Sequence, residues 1–323
     1  MTQVAIIGAT TWGNTLASLI SANGVQVRVW ARSSEQADSL QHKCTANLIK
    51  FSATPEFVAD GCDVAIFAVP AQSVRRAAKD FAGMLSGKAI LVSAAKGLEA
   101  DTGKRMTEIL AEETGRLRLE RLAVISGPNL SAEINQGLPA VTVIASKEYQ
   151  IVLELTRIIA SKNFSVYTSQ DVKGVEVCGA LKNVIALGAG MADGLKLGSN
   201  AKAALVTVGW REVTGLGKKL GADEDTFTGF AGLGDLLTTC ISPLSRNYHA
   251  GYELAGGKSL TEVLAGMPHV VEGVGTARAT HLLAMKLDYV MPLMEAIYRV
   301  LNGELAAAGI KPYFLDGRIG EIV

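Results

Sequence analysis

The stretch IIGATTWGNTLA (residues 6–17) decides the fold, because it joins the end of an apolar strand to a glycine turn and an apolar helix. This order is typical of a dinucleotide-binding domain, whose fingerprint is Gly-x-Gly-x-x-Gly. Gly8 and Gly13 occupy the first and third glycine positions, whereas Thr10 occupies the second. The extra Cβ of Thr10 predicts a pyrophosphate held slightly further away or a shifted loop. The helix amides remain available to an anion, and the hydroxyls of Thr10 and Thr11 are two added donors.

Short apolar runs rich in β-branched residues recur through the first half of the chain. They span residues 4–7, 25–30, 63–69, 89–94, 122–126, 141–145 and 164–168. Several intervals between them have helical patterns, at residues 14–22, 73–85 and 102–113. Strands this uniformly apolar are buried on both faces, as in parallel sheets covered by helices. The alternation predicts an α/β fold with a Rossmann-type, doubly wound sheet.

The residue pattern of the sequence changes after about residue 169. Strand-like runs disappear, and helical segments rich in Ala, Leu and Gly continue to the end. A chain of 323 residues also exceeds what one core usually supports. We therefore predict a dinucleotide-binding, Rossmann-like domain over residues 1–169 and an all-α, substrate-binding domain over residues 170–323.

Composition and motifs exclude several classes of protein. The formal net charge is zero, so the chain lacks the electrostatic footprint of a nucleic-acid or anionic-membrane binder. No uninterrupted apolar run reaches the ~18 residues of a membrane span, and no signal peptide is recognisable. The four cysteines form no Cys-x-x-Cys pair, which favours a reducing, cytoplasmic compartment. Neither a metal-ligand spacing among the four histidines nor a Gly-x-Ser-x-Gly elbow is present.

The end of the second predicted strand bears on the choice of cofactor. The sequence there is VWARSSE (residues 29–35), with Arg32 and no acid before Glu35. A carboxylate at this place would bind the ribose hydroxyls of NAD, whereas an arginine can pair with a 2′-phosphate. The sequence therefore favours NADP(H), with NAD(H) tolerated; the alternative is an ordinary surface arginine.

The stretch EVCGALKNVIALGAGMAD (residues 176–193) contains one isolated charge. Lys182 is the only charged residue between Glu176 and Asp193, and apolar residues surround it at every helical position. Such a helix is buried, and a buried lysine has a lowered pKa that suits proton transfer near neutral pH. The alternative is an amine that reaches water at the domain surface.

Three further stretches have the chemistry of anion sites. They are SAAKGLE (residues 93–99), SGPNLSAE (residues 126–133) and SPLSRN (residues 242–247). Lys96 follows a predicted strand, Pro128 is predicted to start a helix, and Arg246 offers a guanidinium between a hydroxyl and an amide. Each stretch alone is equally compatible with an ordinary loop or helix cap. Together with Lys182 they indicate a small phosphorylated substrate.

These motifs resemble one family over nearly the whole chain. GATTWG, AAKGLE, SGPNLSAEI, GALKNVIALGAGMADGLKLGSNAKAAL, TFTGFAGLGDLLTTC, SPLSRN and VVEGV are similar to the bacterial-type NAD(P)-dependent glycerol-3-phosphate dehydrogenases. The resemblance implies NAD(P)H-dependent, reversible reduction of dihydroxyacetone phosphate to sn-glycerol 3-phosphate, without a metal. It also implies a supply of glycerol 3-phosphate to glycerophospholipid synthesis and, by resemblance alone, a homodimer formed through the helical domain.

The resemblance also implies roles for individual residues. Lys182 falls on the catalytic acid/base lysine. We expect Asp235 to pair with it and to hold its ammonium for proton delivery, so Lys182 and Asp235 are the two candidate catalytic residues. Substrate-binding positions are Lys96, Gly127, Asn129, Asp235, Ser245, Arg246 and Asn247. Cofactor-binding positions are Gly8, Thr11, Trp12, Gly13, Arg32, Lys96, Ser131, Arg246, Val270 and Glu272.

The chain departs from the family pattern at a few positions, of which Thr10 and Val208 are the clearest. Val208 stands where the family commonly has arginine, and Arg211 lies three residues on. Two alternative functions stay open: a related hydroxy-acid dehydrogenase of the 6-phosphogluconate or ketopantoate type, and a non-catalytic dinucleotide sensor. The GLGDL and SRN blocks favour the three-carbon phosphate.

Overall fold

The computed structural model describes residues 2–115 and 120–315. The chain forms two compact units, the first made of Met1–Ala95 and Met106–Val175, and the second of Lys96–Arg105 and Glu176–Val323. The sequence placed one division between residues 169 and 170. In the structure the division falls inside the helix Val172–Gly194, and the ten-residue segment around the Lys96 loop groups with the second unit. Residues 316–323 of the predicted second domain lie outside the described residues.

The first unit is built on one eight-stranded sheet. Its strands are β1 (Gln3–Ile7), β2 (Gln26–Trp30), β3 (Ile49–Ser52), β4 (Val64–Phe67), β5 (Ile90–Ser93), β6 (Leu122–Ser126), β7 (Ala140–Ser146) and β8 (Phe164–Ser169). The spatial order is β3-β2-β1-β4-β5-β6-β7-β8. All neighbouring strands are parallel except β6 and β7, which are antiparallel. The predicted doubly wound sheet is confirmed, with two corrections: β3 was not predicted, and one strand pair is not parallel.

Helices cover both faces of this sheet. They are α1 (Thr11–Ala22), α2 (Ser34–Lys43), α3 (Pro55–Ala59), α4 (Val74–Ala82), α5 (Met106–Thr114), α6 (Ser131–Asn135) and α7 (Tyr149–Ile159), and a 3₁₀ turn (Ala71–Ser73) precedes α4. One apolar core includes Leu16 and Ile20 of α1, and the core on the other face includes Phe81 and Leu110. The helix predicted to start at Pro128 begins instead at Ser131 and is only five residues long.

The second unit is helical. Its helices are α8 (Val172–Gly194), α9 (Gly198–Lys219), α10 (Glu224–Thr228), α11 (Asp235–Ile241), α12 (Arg246–Ala255), α13 (Leu260–Ala265), α14 (Glu272–Lys286), α15 (Pro292–Leu301) and α16 (Pro312–Leu315). A π-helical turn (Phe230–Gly234) precedes α11, and a 3₁₀ turn (Ala307–Ile310) precedes α16. The apolar residues of α8 lie at the centre of one core, against which Val208 packs while Arg211 is exposed.

Helix α8 is long and apolar enough, by length and composition, to cross a membrane. In the structure its most apolar 18-residue window is entirely buried inside the folded chain. The core helix of a globular protein gives the same signal as a membrane span, and the burial of α8 accounts for its composition.

Two glycines let α12 approach α8 closely. A Cβ at Gly190 would lie 1.9 Å from the carbonyl oxygen of Tyr248, and one at Gly251 would lie 1.9 Å from the carbonyl oxygen of Leu187. Side chains at either position are therefore excluded. This contact fixes the start of α12, and with it the SPLSRN stretch, relative to the helix that carries Lys182.

A buried carboxylate holds the start of α15. Pro292 lacks an N–H, and the next two amides, of Leu293 and Met294, donate to Glu212 of α9 at 2.8 and 3.0 Å. Glu212 is 5% exposed, and this burial raises its pKa to about 7 although the two amide hydrogen bonds oppose the rise.

This pKa predicts that the protein loses stability as the pH rises from about 4.5 to about 7. In that window the folded state binds a proton at Glu212 that the unfolded state has released, so the free energy of unfolding falls with pH, by at most about 3 kcal/mol. Urea unfolding at a series of pH values measures the slope. In Glu212→Gln the slope should flatten, and an unchanged slope would assign the effect to other groups.

Candidate active site

The turn between β1 and α1 has the geometry of a dinucleotide-binding loop. Gly8 has a φ of +123°, and a Cβ on it would lie 2.8 Å from the Val69 side chain. A Cβ on Gly13 would lie 2.1 Å from the carbonyl oxygen of Gly8. The turn thus needs both glycines that the sequence retains, and the first amides of α1 stay available to an anion.

Thr10 is accommodated without strain, because its φ of −82° and ψ of 170° suit any residue. Its hydroxyl donates to the carbonyl oxygen of Ala68 at 2.8 Å and accepts from the amide of Gly13 at 3.1 Å. Thr10 is therefore the N-cap of α1 and ties β4 to this helix. The expectation that its hydroxyl is a free phosphate donor is wrong, because the proton is used inside the protein. Thr11, the first residue of α1, is exposed.

The first turn of α1 also contains polar atoms that the protein leaves unsatisfied. Among the described residues, the indole Nε1 of Trp12 and the amide oxygen of Asn14 are buried and make no hydrogen bond. Buried polar groups are normally paired, so such atoms at a helix N-terminus fit a site that a ligand completes. Together with the closely packed Gly8–Gly13 turn they make this part of the chain suitable for a dinucleotide.

Arg32 lies just beyond the end of β2, with its side chain exposed. Its backbone amide donates to the side-chain oxygen of Gln36, whose nitrogen donates to the carbonyl oxygen of Ala9. Gln36 thus connects the loop after β2 with the glycine turn after β1. Both loops lie at the carboxyl edge of the sheet, where doubly wound folds bind ligands.

The loop after β6 lies at the same edge of the sheet, and hydrogen bonds to β7 hold it in place. The amide nitrogen of Asn129 donates to the carbonyl oxygen of Val141 at 2.8 Å, and its oxygen accepts from Thr142 at 3.0 Å. Gly127 lies against the backbone of Thr142. Asn129 therefore fixes this loop on β7 and retains one N–H for a ligand. Ser131, which follows the loop, is the first residue of α6.

In the second unit, two lysines share one buried carboxylate. The Lys182 ammonium donates to one oxygen of Asp235, and Lys96 donates to the other oxygen at 2.8 Å. Side-chain exposure is 7% for Lys182, 2% for Asp235 and 19% for Lys96. The predicted burial of Lys182 and its pairing with Asp235 are both confirmed. The cluster has a net charge of +1 when both lysines are protonated.

Thr239 completes the surroundings of Lys182. It lies one helical turn beyond Asp235, accepts from the Lys182 ammonium at 2.6 Å and donates to the carbonyl oxygen of Asp235 at 2.6 Å. The hydrogen bonds found among the described residues thus use two of the three N–H bonds of Lys182. Burial lowers the pKa of Lys182 to about 8; the nearby Lys96 also lowers it, while Asp235 raises it.

Two buried asparagines connect this cluster to the starts of α12 and α14. Asn183 donates to the carbonyl oxygen of Lys96 at 3.0 Å and accepts from Asn247 at 2.9 Å. Asn247 in turn accepts from the amide of Gly273 at 2.8 Å. This chain of amides fixes the Lys96 loop, α8, α12 and α14 relative to one another.

The start of α12 supplies the remaining predicted anion-binding groups. Ser245 is its N-cap and accepts from the amide of Tyr248, while Arg246, the first helical residue, is exposed. Near the start of α14, Val270 is 48% exposed and Glu272 is the first helical residue. Arg246 therefore combines a guanidinium with a helix N-terminus, an arrangement suited to phosphate.

Sequence reasoning missed three residues that take part in these contacts: Thr239, Asn183 and Gln36. Thr239 had a usable signal, because it lies four residues after Asp235, which is one turn along any helix that contains both residues. Asn183 directly follows Lys182, so sequence spacing alone would place it on another helical face. Within the described ranges, no group of three or more His, Cys, Asp or Glu side chains is arranged to hold a metal.

Comparison with known proteins points to one family. The family model described as NAD-dependent glycerol-3-phosphate dehydrogenase N-terminus matches residues 3–152, and the corresponding C-terminus model matches residues 171–310. A glycerol-3-phosphate dehydrogenase [NAD(P)+] of Dehalococcoides mccartyi is 43% identical over 312 residues, which cover 93% of this chain and 87% of the relative.

Solved structures agree with this relationship. The crystal structure of glycerol-3-phosphate dehydrogenase from Coxiella burnetii superposes with a TM-score of 0.92 at 31% identity, and covers 98% of this chain and 99% of the other. A ketopantoate reductase from Ralstonia eutropha gives a TM-score of 0.62 at 15% identity, covering 94% and 98%. The second likeness shows a shared fold alone.

Proposed function

The chain belongs to the NAD(P)-dependent glycerol-3-phosphate dehydrogenase family, and we propose that it works chiefly as a reductase of dihydroxyacetone phosphate with Lys182 as its proton donor. One observation carries this proposal. A lysine inside an apolar helix is held by a carboxylate and a threonine that use two of its N–H bonds. A buried cation held in this way is suited to deliver a proton through its remaining N–H bond.

Reduction of a ketone needs a hydride at carbon and a proton at oxygen. A nicotinamide cofactor, when bound, would supply the hydride for C2 of the substrate. Lys182 donates one proton to the C2 oxygen as the C–O double bond becomes a single bond, and is left as a neutral amine. With a pKa of about 8, Lys182 is mostly protonated at pH 7, yet it releases a proton readily.

Asp235 and Thr239 are proposed as positioning residues for that proton transfer. Asp235 offsets part of the desolvation of two lysines, so that Lys182 stays charged near neutral pH. Thr239 fixes the direction of the ammonium. Lys96 adds positive charge beside the C2 oxygen, where negative charge develops during hydride transfer.

The substrate phosphate is proposed to bind at the start of α12. Arg246 contributes a guanidinium, Ser245 a hydroxyl and the helix its free amides, with Asn247 holding that turn in place. Gly127 and Asn129 are proposed as further substrate contacts of the first unit. The predicted division of labour, dinucleotide binding by residues 1–169 and substrate binding by residues 170–323, is part of this proposal.

Cofactor binding is proposed to involve the glycine turn and the residues around it. The set is Gly8, Thr11, Trp12, Gly13, Arg32, Lys96, Ser131, Arg246, Val270 and Glu272. The amides of α1 would take the pyrophosphate, and Arg32 would pair with a 2′-phosphate.

The proposed function is tested by the loss of NADPH absorbance with dihydroxyacetone phosphate and the purified protein. Rapid consumption is expected, with none when ketopantoate replaces dihydroxyacetone phosphate, and no NADPH is expected to form from NADP+ when 6-phosphogluconate is supplied. NADPH consumption with ketopantoate alone, or NADPH formation from NADP+ and 6-phosphogluconate, would favour the related dehydrogenase. Binding of NADPH without consumption of any substrate would favour the sensor.

Replacement of Arg32 should separate the two cofactors. In Arg32→Ala, kcat/KM for NADPH is expected to fall roughly ten- to hundredfold, because a charged hydrogen-bonding partner of the 2′-phosphate is lost, while the value for NADH stays within about twofold. Arg76→Ala is the control, since Arg76 is an exposed arginine on α4. Equal losses with both cofactors would contradict a 2′-phosphate contact.

The wider setting is proposed from the family relationship. The enzyme would work in the cytoplasm and supply sn-glycerol 3-phosphate to glycerophospholipid synthesis. Self-association as a homodimer is proposed as well, on the same ground.

A further inference from the structure

One segment of the second unit comes from within the sequence of the first. This Lys96 segment (Lys96–Arg105) closes on itself, because Leu98 and Arg105 are joined by an antiparallel bridge. Leu98 is fully buried in the helical core, which anchors this part of the segment in the second unit. Lys96 stands two residues before Leu98, so the position of its ammonium depends on how the segment is held.

A buried ion pair ties the end of the Lys96 segment to α8. The guanidinium of Arg105 donates to the carboxylate of Glu176 at 2.6 Å, and the two side chains are 13% and 3% exposed. Glu176 lies six residues before Lys182 on the same helix. At the start of the segment, the carbonyl oxygen of Lys96 accepts from Asn183 at 3.0 Å. The segment is therefore held at both ends by the helix that carries Lys182.

The energetics of buried ion pairs favour a positioning role for this pair over a stabilising one. Removing two charges from water costs about as much as their attraction returns, so apolar residues of similar volume would stabilise the fold equally well. A buried pair does impose one defined arrangement on the two elements that it joins. We propose that Arg105 and Glu176 are positioning residues for Lys96. Their ion pair keeps the Lys96 ammonium on the carboxylate of Asp235, beside Lys182. This inference rests on the proposed function, because Lys96 is assigned a role in that chemistry.

The position of Lys96 matters for proton transfer because Lys96 shares Asp235 with Lys182. Burial lowers the pKa of Lys182, Asp235 and Cys240 raise it, and the charge of Lys96 lowers it. If Lys96 left Asp235, the pKa of Lys182 would rise above about 8. Loss of the buried pair should therefore shift the pH dependence of reduction upward. This shift is opposite to that expected of Asp235→Asn, which removes a charge that raises the pKa.

The pH dependence of kcat/KM for dihydroxyacetone phosphate reduction tests the positioning role. In the double variant Arg105→Met/Glu176→Met, neither charge of the pair is left buried, so the chain should fold. Its kcat/KM at pH 7 is expected to fall roughly ten- to hundredfold, because small displacements of a group beside the reacting atoms have effects of this size. The alkaline fall in kcat/KM should move to higher pH by about half a pH unit or more, as in Lys96→Met.

Two single variants distinguish this role from a general effect of substitution. Arg105→Lys keeps a positive charge beside Glu176 and should recover most of the parent kcat/KM and its pH dependence. Arg278→Met is the matched control, because Arg278 pairs with Asp101 of the same segment at 3.0 Å while the two side chains are 60% and 78% exposed. Exposed pairs contribute little, so this control should keep kcat/KM within about twofold and retain the parent pH profile.

Hydrogen–deuterium exchange measures the Lys96 segment independently of catalysis. The amides of Glu99 and Gly103 are bonded within the segment, to the carbonyl oxygens of Lys104 and Glu99 at 2.9 and 2.8 Å. In the double methionine variant these amides should exchange at least about threefold faster than in the parent, because local opening becomes easier. Amides of α15, outside the segment, should exchange at the parent rate.

Three results would overturn the inference: a double variant with the parent pH profile, an equal shift in Arg278→Met, and parent rates of exchange in the Lys96 segment. A double variant that thermal melting shows to be unfolded would also overturn it, since the pair would then be a stabilising element. If the parent chain consumes no NADPH, the proposed function fails, and the exchange measurement alone then decides whether the pair positions the segment.

Discussion

Lys182→Met is expected to lower kcat for dihydroxyacetone phosphate reduction by about 10²- to 10⁴-fold, the range for loss of a positioned proton donor. Methionine keeps most of the length and volume of the side chain but cannot donate a proton. Asp235 keeps its partner Lys96, so the substitution leaves no isolated carboxylate. Initial rates of NADPH consumption measure the effect, and NADPH affinity measured without substrate should change little.

Lys173→Met is the control for this variant, because Lys173 is an exposed lysine on the same helix. It should retain kcat within about twofold, as surface substitutions usually do. If Lys182→Met kept a tenth or more of the parent activity, proton transfer by Lys182 would be ruled out.

Asp235→Asn is expected to lower the pKa of Lys182 further below about 8. The carboxylate of Asp235 raises this pKa, whereas the neighbouring Lys96 lowers it, so removal of the carboxylate charge leaves the lowering effects unopposed by Asp235. Loss of an opposite charge at contact distance shifts a pKa by roughly 1 to 3 units, so kcat for reduction at pH 8.5 should fall about tenfold or more. At pH 6.5 the loss of kcat relative to the parent should be several-fold smaller than at pH 8.5, and KM should change less than kcat.

The recovery at low pH separates a role in proton transfer from a role in folding. A variant that had merely lost its structure would stay inactive at both pH values, and thermal melting would show the loss directly. An Asp235→Asn enzyme with the parent pH profile, or with a larger change in KM than in kcat, would contradict the proposed role of Asp235.

The features that could be predicted from the sequence are those determined by residues close together in the chain. The turn between β1 and α1 needs Gly8 and Gly13, and this need can be recognised from the strand, the turn and the helix alone. The same local pattern indicated the doubly wound fold. Lys182 could be recognised as a candidate site residue because a single charged residue in an otherwise apolar helix is unusual in a folded protein. Its pairing with Asp235 was expected from the family resemblance and the chemistry of burial, and the structure contains that pair.

The features that sequence missed depend on tertiary contacts. Strand β3 has only four residues, IKFS, of which two are apolar, and it exists because it pairs with β2. Nothing in the apolar run of β7 distinguishes an antiparallel strand from a parallel one. The chain from Lys96 through Asn183 and Asn247 to Gly273 joins residues far apart in sequence. Asparagines with such a role look like ordinary polar residues until the fold brings them together.

Thr10 shows how a motif can depart from its pattern and keep its structure. The sequence indicated that a Cβ at this position would crowd the pyrophosphate. In the structure the residue has an extended backbone, caps α1 and binds the carbonyl oxygen of Ala68. The loss of the glycine is thus offset by a capping hydrogen bond, which only the backbone geometry reveals.

The pH dependence of kcat/KM in both reaction directions is the most direct measurement of proton transfer by Lys182. Reduction needs the ammonium and oxidation needs the neutral amine. With a pKa of about 8, kcat/KM for reduction should fall about tenfold per pH unit above that value, while kcat/KM for oxidation of sn-glycerol 3-phosphate should rise up to it and then level off. A reduction rate that stays constant from pH 7 to about 10 would show that no group with this pKa donates the proton.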